Sequence, residues 1–113
     1  MDKELIKQQE TTNDGRSVFL YYHTMIGFYV AFGRSAYYAD MAASPILSYS
    51  EEMQMPVALL NRRRVLDVRQ SMIMVSHTVD ETYHFHTKQV IGNADYEKWK
   101  QNVLKHYNTK YKV

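Results

Sequence analysis

Cysteine is absent from the 113 residues, proline occurs only twice and glycine four times. Without thiols there is no disulfide framework, no thiolate metal site and no cysteine nucleophile. That usage suits a reducing compartment, so a cytoplasmic location is the expectation. With so little glycine, no phosphate-cradling glycine loop can be built. Long apolar runs are also lacking. The richest stretch, 18–32, is broken by His23, Thr24 and Gly27, too short and too polar to span a bilayer. The first ten residues carry charges throughout, so neither a secretory leader nor a lipid anchor is expected.

Catalytic signatures are missing as well. Ser35 lies in Gly33-Arg34-Ser35-Ala36, which is not a nucleophile elbow. The acidic pairs Glu51-Glu52 and Asp80-Glu81 are neighbours in sequence and fall on turns, not across a cleft. No cofactor motif or small-molecule substrate site is recognisable, and an enzyme is not expected.

What is present fits one globular domain. The hydrophobic fraction is 45% and the charged fraction 23%, too apolar and too nearly neutral for disorder. Charge is uneven: residues 1–60 carry 4 basic and 7 acidic side chains, residues 61–113 carry 10 and 5, within a net of +2. The basic half could favour a polyanion, although the overall field is weak.

Periodicity divides the chain. Residues 1–15 are polar and read as a flexible arm, frayed or partly helical, with the turn signal Asn13-Asp14-Gly15. Residues 17–24 read as a strand covered on both faces. From Gly27 to Ala43, the spacing of Phe28, Phe32, Ala36, Ala39 and Ala43 predicts a helix, with Phe28 in the core and Ser44-Pro45 as its end. Its small residues would let it lie close against a sheet. Ile46 to Tyr49 and Met55 to Leu60 are strand candidates. Asn61 reads as the N-cap of a helix over Arg62–Val75, although β-branched residues leave a strand open for 72–79. Glu81 to Thr87 alternates as a half-buried strand, and a closing helix spans Ala94–Tyr107. The expected fold is therefore α/β in the mixed α+β sense. One domain over 16–108 would hold a mixed sheet with about three helices, and 109–113 would be a basic tail.

Three clusters are candidates for function. Arg62, Arg63 and Arg64, with Arg69 further along the helix, could grip phosphates, or they could form a solvated cluster bridged to Glu51 or Glu52. His84 and His86 share one strand face and could present imidazoles to a metal, with His77, Asp80 or Glu81 as a third ligand. A solvated face is the plainer reading. Ten tyrosines could stack on bases, but most occupy positions a core would use.

Gly27-Phe28-Tyr29-Val30-Ala31-Phe32-Gly33-Arg34-Ser35-Ala36, after a hydrophobic strand, resembles the start of the mismatch-reading amino-terminal domain of MutS-type DNA repair proteins. Met55-Pro56-Val57-Ala58 is similar to that domain's later Pro-Met-Ala-Gly segment, and the likeness covers roughly residues 16–87. It implies a non-catalytic DNA-binding module in which Phe28 matches the aromatic that wedges beside a mispaired base. Val30 stands where the family has the base-contacting Glu, so that contact is not implied here. The alternative is a protein-interaction or homodimerising domain using exposed Tyr and Met.

Overall fold

A computed structural model of the chain describes residues 2–106. The elements run α1 (Lys3–Thr11), β1 (Ser17–His23), β2 (Phe28–Phe32), α2 (Gly33–Ala43), β3 (Ile46–Ser50), β4 (Met55–Leu60), α3 (Arg62–Ser71), β5 (Ile73–His77), β6 (Tyr83–His86) and α4 (Asn93–His106). After α1, a hairpin-and-helix unit is repeated three times. The strands form one six-stranded sheet in the order β3-β4-β2-β1-β6-β5. Every pairing is antiparallel. The first hairpin thus lies in the middle, with one later hairpin on each side.

The sheet is antiparallel where a mixed one was expected, and the reason is β2. The spacing of Phe28 and Phe32 predicts the first turns of a helix, but Phe28–Phe32 is a strand, and the helix begins only at Gly33. Gly33 has φ +58°, a left-handed conformation that glycine adopts without a Cβ penalty, and there the chain swings from strand to helix. Once β2 reverses the chain, β4 can pair antiparallel to β2, leaving β1 free for β6.

Three further expectations need correction. Residues 3–11 of the expected frayed or partly helical arm form an ordered helix, capped by Asp2, whose carboxylate accepts the Leu5 N–H at 3.1 Å. Ile6 (2% exposed) and Glu10 anchor it. The helix from Arg62 stops at Ser71 and does not reach Val75, and 73–77 form β5, the strand that the β-branched residues leave open. Phe28 belongs to neither core cluster and is only half-buried. Residues 109–113 lie outside the described residues.

Helices α2, α3 and α4 cover one face of the sheet. There Val18, Leu20, Tyr29, Ala31, Ala58, Leu60 and Phe85 meet Ala36, Ala39 and Ala43 of α2, Val65 and Val68 of α3 and Val103 of α4. The small stripe of α2 does bring it close to the strands. The opposite face is covered in part: Ile6 of α1 and Met53 close over Tyr21, Val30, Phe32 and Val57. No helix among the described residues is long and apolar enough to cross a membrane.

Candidate nucleic-acid interface

Strand register decides which candidates meet. His23 pairs with Phe28 at the tip of the first hairpin, and Tyr29 pairs with Leu60. The tip and the start of α3 therefore sit at one end of the sheet. At the tip, the His23 carbonyl accepts the N–H groups of Ile26 (3.3 Å) and Gly27 (2.9 Å). Gly27, at φ +71°, completes the reversal. This tight turn thrusts Met25 into solvent at 89% exposure, with Ile26 at 40%.

Beside the tip, Asn61 caps α3 through its side-chain oxygen, which accepts the Arg64 N–H at 2.9 Å. The arginines Arg62, Arg63 and Arg64 follow at once, at the positive end of the helix dipole. Arg62 is held in place. Its guanidinium donates to Glu81 (3.3 Å) and to the Tyr29 hydroxyl (3.2 Å), and lies 5.7 Å from the ring centres of Tyr22 and Tyr29. The Tyr29 hydroxyl in turn donates to Glu81 at 3.0 Å. Desolvation and then the Glu81 contact push the Tyr29 phenol up to about 12, while hydrogen bonding from Arg62 holds the Glu81 carboxyl below its ordinary value. Glu81 has φ +61°, an uncommon conformation for a side-chain-bearing residue, in the turn between β5 and β6.

Arg64 faces Asp67 at 3.8 Å, an exposed pair of little strength. Arg63 and Arg69 form no ion pair with any described residue, and both are exposed. Glu52 is taken by Lys3, at 2.8 Å. Arg69 stands in the last turn of α3, away from the other three. Phe28, Arg62, Arg63 and Arg64 thus lie at one sheet end, Phe28 on the strand face it shares with Val30 and Phe32 and opposite the face on which α3 packs, and Arg69 is not at that end. Sequence reasoning missed Met25 and Ile26, whose signal was a following glycine, and missed the partner Glu81.

The histidines lie elsewhere. His84 stacks on Phe19 at 4.5 Å, and its Nε2 is 3.0 Å from Ser17 Oγ. Burial and the neighbouring His86 hold its pKa below the ordinary value. His77 stacks on Tyr83 at 3.9 Å, on the other face of the strands. Among the described residues no three His, Asp or Glu side chains are placed to hold a metal.

One buried polar network was not foreseen. Phe32 precedes α2 in the N-cap position and has no side-chain oxygen to offer. Glu10 supplies it from α1: its carboxylate accepts the Ser35 N–H (3.2 Å) and the Ser35 hydroxyl (2.6 Å), while Ser35 Oγ accepts the Phe19 N–H (3.0 Å). These groups satisfy one another's hydrogen bonds and join α1, β1 and α2. The chain matches no protein-family model, no curated protein and no solved structure.

Proposed function

We propose that this chain is a non-catalytic DNA-binding module that engages its ligand with the sheet end formed by the first hairpin tip and the start of α3. The observation that carries this reading is the placement at one sheet end of the exposed apolar tip, Met25 and Ile26, and three arginines at a helix start, with half-buried Phe28 at the same end on the opposite strand face. Arginine at such a position neutralises phosphate, and an apolar wedge beside it can enter an unstacked base step. The likeness of 27–36 to the mismatch-reading domain points to the same ligand. Val30 is fully buried, so no base is read from that position.

Fluorescence anisotropy with matched duplex, mismatched duplex and single-stranded DNA at two salt concentrations tests the reading. Replacing Arg62, Arg63 and Arg64 with Ala lowers affinity about equally for all sequences and flattens the salt dependence, because fewer counterions are released. Phe28→Ala removes any preference for the mismatched duplex. It costs well under the roughly 3–5 kcal/mol of a core phenylalanine, since Phe28 is outside both core clusters. Absence of salt-sensitive affinity for every nucleic acid tried would overturn the reading.

A second reading, a protein-interaction or homo-oligomerisation module, is favoured by a different observation. β5 forms an edge of the sheet, and all five of its residues are exposed.

A further inference from the structure

The guanidinium of Arg62 is already engaged. Nη1 and Nη2 donate to separate oxygens of Glu81, each at 3.3 Å, a two-pronged grip that arginine makes with carboxylate and phosphate alike. The Tyr29 hydroxyl completes the group, accepting from Arg62 at 3.2 Å and donating to Glu81 at 3.0 Å. Of the other two arginines, Arg64 has Asp67 of its own helix at 3.8 Å, and Arg63 has no ion pair with a described residue.

The carboxylate of Glu81 takes no part in closing the turn it stands in. The Thr78 N–H donates to the Thr82 carbonyl and the Glu81 N–H to the Thr78 carbonyl, both at 3.0 Å. The Thr78 hydroxyl adds a bond to the Asp80 side chain. At φ +61° the position would be filled at lower cost by glycine or asparagine. The glutamate side chain instead makes its bonds outside the turn, to Arg62 and Tyr29, 19 and 52 residues away in sequence. This pair is within reach of a ligand. The Arg62 side chain is 69% exposed and that of Glu81 32%, so solvent and salt weaken the attraction and another anion can replace it.

We propose that Glu81 is an internal competitor for Arg62, a carboxylate that occupies the guanidinium until a backbone phosphate of the nucleic acid takes its place. This rests on the DNA reading above and adds to that site the residue that sets its affinity. Arg63, with no carboxylate to shed, meets the first phosphate. Arg62 then exchanges Glu81 for the next, and the Tyr29 hydroxyl, released from the carboxylate, donates to the same phosphate.

The test is a double-mutant cycle on the binding of labelled duplex and single-stranded DNA, followed by fluorescence anisotropy at low salt. Glu81→Gln keeps the length of the side chain and an oxygen for Tyr29, and its far-ultraviolet spectrum and Tm match those of wild type. It raises affinity by about fivefold, the upper range for an exposed pair that no longer has to be broken. Glu81→Asn, suited to the backbone at this position, is a second variant with the same expectation. In an Arg62→Ala background, Glu81→Gln changes affinity by less than about twofold, because the contested guanidinium is gone. An equal gain in both backgrounds assigns the effect to net charge and overturns the competition. So does a Glu81→Gln affinity equal to or below that of wild type, which makes Glu81 a brace for Arg62. Either result leaves the DNA reading standing. Absence of salt-sensitive affinity in wild type and in Glu81→Gln alike overturns that reading, and the competitor with it.

Discussion

At Glu10 two opposing influences meet on one carboxyl group. Burial penalises the charged form and raises the pKa to about 7, against the lowering effect of hydrogen bonds from Ser35 and Asn13 and of nearby Arg34. A raised folded-state value means the native protein holds this proton more tightly than the unfolded chain. The associated stability is complete below the unfolded pKa of 4.5 and is lost as pH rises towards about 7, a difference on the order of 3 kcal/mol. His84, held below the ordinary histidine value of 6.5, acts in the opposite sense, its contribution being lost as pH falls below that value, because the unfolded chain protonates it more readily. Glu10→Gln keeps an oxygen for the Ser35 N–H and removes the titration. Urea unfolding from pH 4.5 to 8 should therefore show the variant gaining on wild type as pH rises. Parallel curves would mean that Glu10 ionises as an ordinary carboxylate.

Among the elements, the return of the chain from β6 to α4 depends on one phenol. Tyr38 is 1% exposed; its hydroxyl donates to the Gly15 carbonyl (2.7 Å) and accepts the Ile91 N–H (3.0 Å). Arg34 adds bonds to the Ile91 carbonyl (3.2 Å) and the Asn93 side chain (2.8 Å). Tyr38→Phe deprives Gly15 and Ile91 of their partner and should cost about 1–3 kcal/mol by chemical denaturation, with little change in volume. Elements whose signals are local were legible in the sequence: the Asn61 cap, the Tyr83-Phe85 alternation and the aromatic face of α4. β2 was hidden because Phe28 and Phe32, four apart, satisfy a strand face and a helix face alike. The cap that would have marked the start of α2 comes from Glu10, far back in the chain. α1 shows in the sequence as no more than a partly helical arm because its inward face offers one apolar residue and a glutamate. At the candidate site, the arginines and Phe28 could be named from sequence. Their gathering at one sheet end, and the Arg62–Glu81–Tyr29 contacts, depend on register and could not be.

Over the whole molecule, the two outer hairpins are each paired to the central one, and α4 reaches back from the β6 side to pack on β3, β4 and α2. The side-chain nitrogen of Trp99 on α4 donates to Asp40 of α2 at 3.0 Å. Tryptophan fluorescence therefore reports on a contact between sequence-distant segments, while far-ultraviolet circular dichroism reports on the sheet and helices together. The two should give coincident denaturation curves, as one cooperative unit requires; separated transitions would divide the domain. The central position of the first hairpin also matters during synthesis. As the chain is made from its amino end, β1, β2 and α2 emerge before their neighbours, and this segment is the seed on which both flanks are laid. The β3–β4 hairpin can dock on β2 as soon as it appears. The β1 flank stays bare until β6 is complete, and only then can α4 fold back. A pause in translation between α3 and β6 would thus leave a half-built sheet with an open β1 edge, the form of this protein most in need of a chaperone.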